Sequence, residues 1–140
     1  MRIVLDTNIL VASVNPNSMY YPVFESFLDE AYFLCVTTDI LLEYEEILSQ
    51  KSRPDFASTI VEIITNAPNT IFINRYYEWQ LIYRDPDDNK FVDCAIAGNA
   101  KLIVTEDRHF NVLKQIDYPK VATIRLEPFI IEELGKEIIE

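Results

Sequence analysis

The chain is short of the residues that most often announce chemistry. Two glycines in 140 residues leave no Gly-rich loop to cradle phosphates, which argues against the usual nucleotide-binding motifs. Two cysteines, Cys35 and Cys94, lie far apart with no histidine beside either, so they read as reduced core residues rather than a thiol nucleophile, a disulfide or a metal pair. The single histidine, His109, cannot supply a zinc site; just beyond an acidic turn, it reads as a solvated helix-start residue. No apolar run approaches the ~20 residues of a membrane span, and the N-terminus lacks the charged-then-apolar layout of a secretory signal. A cytoplasmic chain with no membrane partner is expected. Basic residues are scarce: 12 Lys and Arg against 23 Asp and Glu, a net charge of -11. Such a balance repels nucleic acid, and it fits either carboxylates gathered around a cation or a solvated acidic surface. Part of it is bland, because Glu127, Glu132, Glu133, Glu137 and Glu140 crowd the tail.

What the chain does have is apolar patterning. At 49% hydrophobic and 140 residues it reads as one compact domain over 1–140, with a core of about 2–126 and an acidic C-terminal helix over 128–139. Strand candidates are 2–5, 33–37, 71–73, 101–104 and 121–126. Helical spacing covers 21–31, 39–51, 54–64, 90–99 and 109–116, while 76–83 is aromatic and ambiguous. Alternating strands and helices predict an α/β fold with a parallel sheet of about five strands covered on both faces.

Two of those strands share one pattern. Ile3-Val4-Leu5 stops on Asp6, and Leu102-Ile103-Val104-Thr105-Glu106 stops on Asp107. If they are parallel neighbours, both carboxylates emerge at one sheet edge, where ligands of open α/β sheets bind. Either acid could instead cap the helix that follows it. The helix after Asp85 adds a third acid. At ~100° per residue, Phe91, Val92, Ala95 and Ile96 form one stripe with Asp88 in its middle, Asp93 off its flank and Asp87 away from it. A carboxylate on an inward face is costly without a partner. On 39–51, Glu46 turns outward, and Glu43 and Glu45 lie symmetrically about the apolar stripe, so periodicity leaves the choice between them open. A set of carboxylates without His or Cys is a hard-oxygen donor set, which suits Mg²⁺ or Mn²⁺ and argues against zinc.

The order of these parts carries a resemblance. Asp6-Thr7-Asn8 after a first strand, an acid in Leu-Leu-Glu43-Tyr-Glu, then Asp85-Pro-Asp-Asp88-Asn-Lys-Phe-Val-Asp93-Cys-Ala, then Ile-Val-Thr105-Glu-Asp107, resembles the PIN-domain ribonuclease family. It is most similar to the branch of toxin components of toxin–antitoxin pairs, over roughly residues 2–126. The resemblance implies a three-layer α/β/α sandwich and metal-dependent hydrolysis of single-stranded RNA. It places the four catalytic, metal-holding acids on Asp6, Glu43, Asp88 and Asp107, choosing Glu43 over Glu45. It adds Asp93 as a further acidic metal position, with Asn8 and Thr105 as supporting polar residues. Glu106 stands where a small residue is commoner. The implied mechanism is in-line attack by a metal-activated water, leaving a 5′-phosphate and a 3′-hydroxyl, with Asp93 or Glu106 orienting the water. Candidates for phosphate contact are Arg53, Arg75, Arg84, Arg108 and Lys114. A homodimer and a cognate antitoxin are the implied partners. Two other readings compete: a PIN-like module that only binds a protein partner, and a phospho-accepting receiver domain. The receiver needs paired acids after its first strand and a late-strand lysine, whereas Asp6 stands alone and 121–126 ends without one.

Overall fold

The computed structural model of the chain describes residues 1–74 and 76–139. Its centre is a parallel five-stranded sheet: β1 (Arg2–Leu5), β2 (Phe33–Val36), β3 (Thr70–Phe72), β4 (Leu102–Val104) and β5 (Thr123–Ile124), in the order β3-β2-β1-β4-β5. Ile3, Val4 and Leu5 are at most 1% exposed, as a central strand covered on both faces requires. Helices α1 (Thr7–Ser13), α2 (Pro22–Leu28), α3 (Thr38–Lys51), α4 (Pro54–Asn66) and α5 (Asn89–Ala97) complete a three-layer α/β/α sandwich. The order separates this fold from a receiver domain, whose sheet runs 2-1-3-4-5.

Local chemistry sets the boundaries. Pro22 and Pro54 open α2 and α4, where a missing N–H costs nothing. Thr37 caps α3, its hydroxyl accepting the Ile40 N–H at 3.2 Å. Gly98 closes α5 at a close approach to β2; a Cβ there would stand 2.9 Å from Cys35 Sγ. Cys35 and Cys94 are free and buried, and burial pushes both thiols up.

The C-terminus departs from expectation. The helix foreseen over 128–139 is a single turn, Leu126–Pro128, followed by a π-helical turn, Phe129–Glu133. Phe129 and Ile130 are buried, Phe129 edge-on to Tyr32. The Leu134 and Lys136 N–H groups then bond back to Phe129 and Ile130. Gly135, at φ 65°, adopts the left-handed conformation that ends helices. The segment 76–83 is irregular and stitched down by side chains. Asn89 bonds both the Ile82 N–H (2.9 Å) and C=O (2.7 Å), and Ile82 is 2% exposed.

The order also locates a crevice. From β1 the chain goes to β2 on one side, while β4 pairs on the other, so connections diverge at the β1/β4 boundary. Ligands of open α/β sheets bind outside the strand ends at such a point. Leu5 is in register with Val104, and the Asp6 N–H donates to the Val104 carbonyl at 3.0 Å.

Candidate metal centre

Asp6 and Asp107 leave adjacent strands at that crevice, joined by Thr105. Its hydroxyl donates to Asp6 Oδ2 at 2.7 Å and accepts the Asp107 N–H at 3.0 Å. The two acids share a sequence pattern and differ in use. Asp107 does cap, accepting the His109 N–H at 2.9 Å and opening the 3₁₀ segment Arg108–Gln115. Asp6 occupies the N-cap position of α1, yet its side chain makes no cap bond, and Thr7 and Asn8 do not take the cap over. Thr7 is buried, with its hydroxyl on Glu43 Oε2; Asn8 is exposed. Burial raises the Asp6 carboxyl, and the charges of Asp107 and Glu43 add to it, against the lowering bonds from Thr105 and the Thr7 N–H.

Asp88 ends a short 3₁₀ turn, Pro86–Asp88, and enters α5 without capping it. It is 8% exposed, and Oδ2 is buried with no hydrogen-bond partner among the described residues. Burial, then the charges of Asp6, Asp85 and Asp107, push its carboxyl up to about 8. His109 Nδ1 is likewise a buried atom without a hydrogen-bond partner among the described residues. It stands 3.4 Å from Asp107 Oδ1 and 3.9 Å from both Asp85 Oδ2 and Asp88 Oδ2. One donor atom from each of Asp85, Asp88, Asp107 and His109 lies within 4.8 Å of the others. The expectation of a solvated His109 is therefore corrected: its ring is half-exposed, but Nδ1 is turned to the acids. Asp85, which the sequence placed only in a turn, joins it. Asp6 and Glu43 stand outside this tightest set.

Glu43 is turned inward and Glu45 outward, which resolves the choice that periodicity left open. The Glu43 carboxylate is already engaged. Lys90 Nζ lies 2.6 Å from its Oε1 and 2.9 Å from Asp87 Oδ2, and Thr7 holds the other oxygen. Burial pulls the Lys90 ammonium down, but the bonds to Glu43 and Asp87 outweigh it and the net shift is upward; Lys90 in turn holds Asp87 low.

Asp93, off the flank of the apolar stripe, is buried all the same. It is 3% exposed because residues 76–83 lie over α5, and Oδ1 accepts the Trp79 N–H at 3.0 Å. It lines an open cleft of about 800 Å³ with Glu43, Lys90, Tyr76 and Tyr83. Glu106 does not face the cluster either. Arg125 pairs with it through two nitrogens, at 3.1 and 3.2 Å, and the Leu126 N–H adds a third bond. These hold its carboxyl low and engage both of its oxygens.

Of the candidate phosphate contacts, Arg84 and Arg108 line a recess of about 270 Å³ together with His109. Arg108 and Lys114 line a second one beside Asp107. Arg53 instead pairs with Asp55 at 3.3 Å and borders a cleft that includes none of the acids. Arg75 lies outside the described residues.

The donor chemistry fits a divalent cation. Like charges packed at this distance, with two buried acceptor-capable atoms left unpartnered, are stable together when a cation joins them. No helix among the described residues is long and apolar enough to cross a membrane.

Comparison with known proteins gives likenesses of three kinds. A family model described as PIN domain matches residues 2–109. An uncharacterized protein of Methanocaldococcus jannaschii, MJ1680, is 28% identical over 133 residues, covering 91% of this chain and 84% of that protein. A chain of the solved structure of VapBC2 from Rickettsia felis, bound to a DNA fragment from their promoter, superposes with a TM-score of 0.59. It is 19% identical, over 89% of this chain and 98% of that one, a likeness of fold.

Proposed function

The chain belongs to the PIN-domain family, and from that membership we propose that it is a metal-dependent ribonuclease hydrolysing phosphodiester bonds of single-stranded RNA, in the cytoplasm, as the toxin of a toxin–antitoxin pair. The supporting observation is Asp88: a buried carboxylate oxygen without a partner, in a cluster of acids at the crevice where the sheet's connections diverge. Asp88 and Asp107 are the direct carboxylate ligands of one Mg²⁺ or Mn²⁺ ion. Asp6 joins them directly or through water, and Glu43 adds negative charge from the flank. When bound, the cation supplies a lowered pKa for an attacking water and neutralises charge on the scissile phosphate.

The chain's own residues do the rest. Thr105 fixes Asp6 and Asp107 against each other, and Thr7 and Lys90 fix Glu43. Asp93 holds residues 76–83 over α5, forming one wall of the cleft, in place of a metal-holding role. Arg84 and Arg108, beside His109, bind phosphates flanking the scissile one, and the products carry a 5′-phosphate and a 3′-hydroxyl. Arg53 serves solubility. A cognate antitoxin and a second copy of the chain are the proposed protein partners. The likeness to VapBC2 supports the antitoxin through fold alone.

The test is the double variant Asp6→Asn with Asp88→Asn. It is expected to abolish Mn²⁺-dependent cleavage of single-stranded RNA while circular dichroism stays unchanged; undiminished cleavage sinks the reading. Calorimetric titration separates the alternative of a protein-binding module, which shows no Mn²⁺ binding at the acids.

A further inference from the structure

The chain's one histidine sits where the four expected acids do not require it. Its ring is half-exposed, so a solvated imidazole would cost nothing. Nδ1 is nevertheless buried against three carboxylates, without a hydrogen bond to any. The separations of 3.4 and 3.9 Å exceed the 2.7–3.2 Å of an N–H···O bond. They match another relation. Six donors roughly 2.1 Å from one octahedral ion stand about 3.0 Å apart when adjacent and about 4.2 Å when opposite. The Nδ1-to-oxygen separations fall inside that interval. The widest pair in the set, under 4.8 Å, needs a contraction of about half an ångström to meet it. Asp88, 8% exposed as a residue and with its Oδ2 atom buried and unpartnered, is a second sign that the cluster is shaped around a ligand.

We propose that Nδ1 of His109 is a direct ligand of the cation held by Asp88 and Asp107, with Asp85 completing the set. This rests on the ribonuclease reading above and extends it to the coordination sphere. Its consequence is metal choice. An all-oxygen site suits Mg²⁺, whereas imidazole prefers softer divalent ions, so mixed oxygen and nitrogen donors favour Mn²⁺. The helical turn that places Arg108 beside the substrate recess thereby carries a ligand as well, coupling metal loading to the order of that turn.

Pulsed electron paramagnetic resonance of the Mn²⁺-loaded protein tests this without an activity assay. Because the sequence holds one histidine, any imidazole-nitrogen coupling belongs to His109. The expected result is a directly bound ¹⁴N coupling that changes to the ¹⁵N pattern on labelling histidine alone. It disappears in His109→Ala, with Mn²⁺ affinity down about tenfold or more and Mg²⁺ affinity changed less. Bound Mn²⁺ without nitrogen coupling overturns the ligation and leaves the ribonuclease reading standing. Tighter Mn²⁺ binding by His109→Ala also overturns it, making the imidazole a competing cation. No Mn²⁺ binding by the native protein overturns both.

Discussion

The two flanks of the acid cluster solve one electrostatic problem in opposite ways. On the α3 flank, Glu43 and Asp87 have a cation built into the chain: Lys90, at 2.6 and 2.9 Å. On the β4 flank, Asp85, Asp88 and Asp107 crowd together with no lysine or arginine among the described residues paired to Asp88, and two buried atoms are left unpartnered. The first flank is a salt bridge of ordinary structural kind, in which one ammonium is shared by two carboxylates. The second leaves its charges without a countercharge in the fold, the arrangement that the proposed cation would balance. A count of acids treats both flanks alike; the presence or absence of an internal countercharge tells them apart.

Asp88→Asn breaks the contrast most severely. On the proposed function it lowers Mn²⁺-dependent RNA cleavage by about 100-fold or more. The metal-free protein, relieved of a carboxyl that must take up a proton to stay buried, melts about 2–4 °C higher at pH 7. A loss of activity accompanied by loss of fold would contradict that.

Lys90→Met attacks the other flank and is expected to do the reverse. Leaving the largely buried Glu43 without its partner costs about 2–3 kcal/mol, lowering Tm by about 5–10 °C. It also opens a place for a second ion between Glu43 and Asp87, so Mn²⁺ stoichiometry rises from one per chain to two. Two ions bound to the native protein would remove the distinction between the flanks.

pH sharpens the contrast further. The Asp88 carboxyl moves from an ordinary 3.8 to about 8, so the folded state holds a proton that the unfolded chain releases. Such a group makes stability fall as pH rises through the window between those values and level off above it. The metal-free protein therefore melts higher at pH 5 than at pH 8. Asp88→Asn flattens that slope, and saturating Mn²⁺, which stabilises the charged form, removes it. Mn²⁺ affinity, competing with the same proton, rises up to about pH 8 and then levels. Parallel melting curves with and without metal would refute the assignment.

Smaller effects test the supports. Thr7→Val removes one hydroxyl from Glu43 and costs about 1 kcal/mol. Arg53→Ala, at an exposed pair remote from the acids, changes stability by less than about 0.5 kcal/mol and leaves cleavage intact. Arg84→Ala and Arg108→Ala, by contrast, raise the RNA KM.

Much of the site could be read from residues alone, and the failures have physical causes. Asp6 and Asp107 were legible because an apolar run ending on an acid marks a strand's carboxyl end, and Asp88 because it interrupted an apolar stripe. Glu43 was not separable from Glu45 by helical spacing, since both flank the stripe; the resemblance chose it, and the fold of α3 turns it inward. The burial of Asp93 was not legible because a helical wheel takes one face as buried, whereas residues 76–83 cover a second. The tail misled in a similar way: its acids suggested a solvated helix, while the burial of Phe129 and Ile130 and the left-handed Gly135 stop it within two turns. Lys90 carried no signal, because an ammonium three residues beyond an acid is ordinary on any helix.

By itself, the sequence determined the parallel α/β architecture and which strand ends carry acids. Those follow from hydrophobic periodicity, which is local and summed over many residues. Only the tertiary structure decided which acids keep a countercharge and which do not. That depends on where single side-chain atoms of α3, α5 and the turn after β4 meet: Lys90 Nζ on Glu43, and His109 Nδ1 toward Asp88. Such meetings span 47 residues in one case and 21 in the other, distances over which no pattern in the chain constrains a side chain's direction.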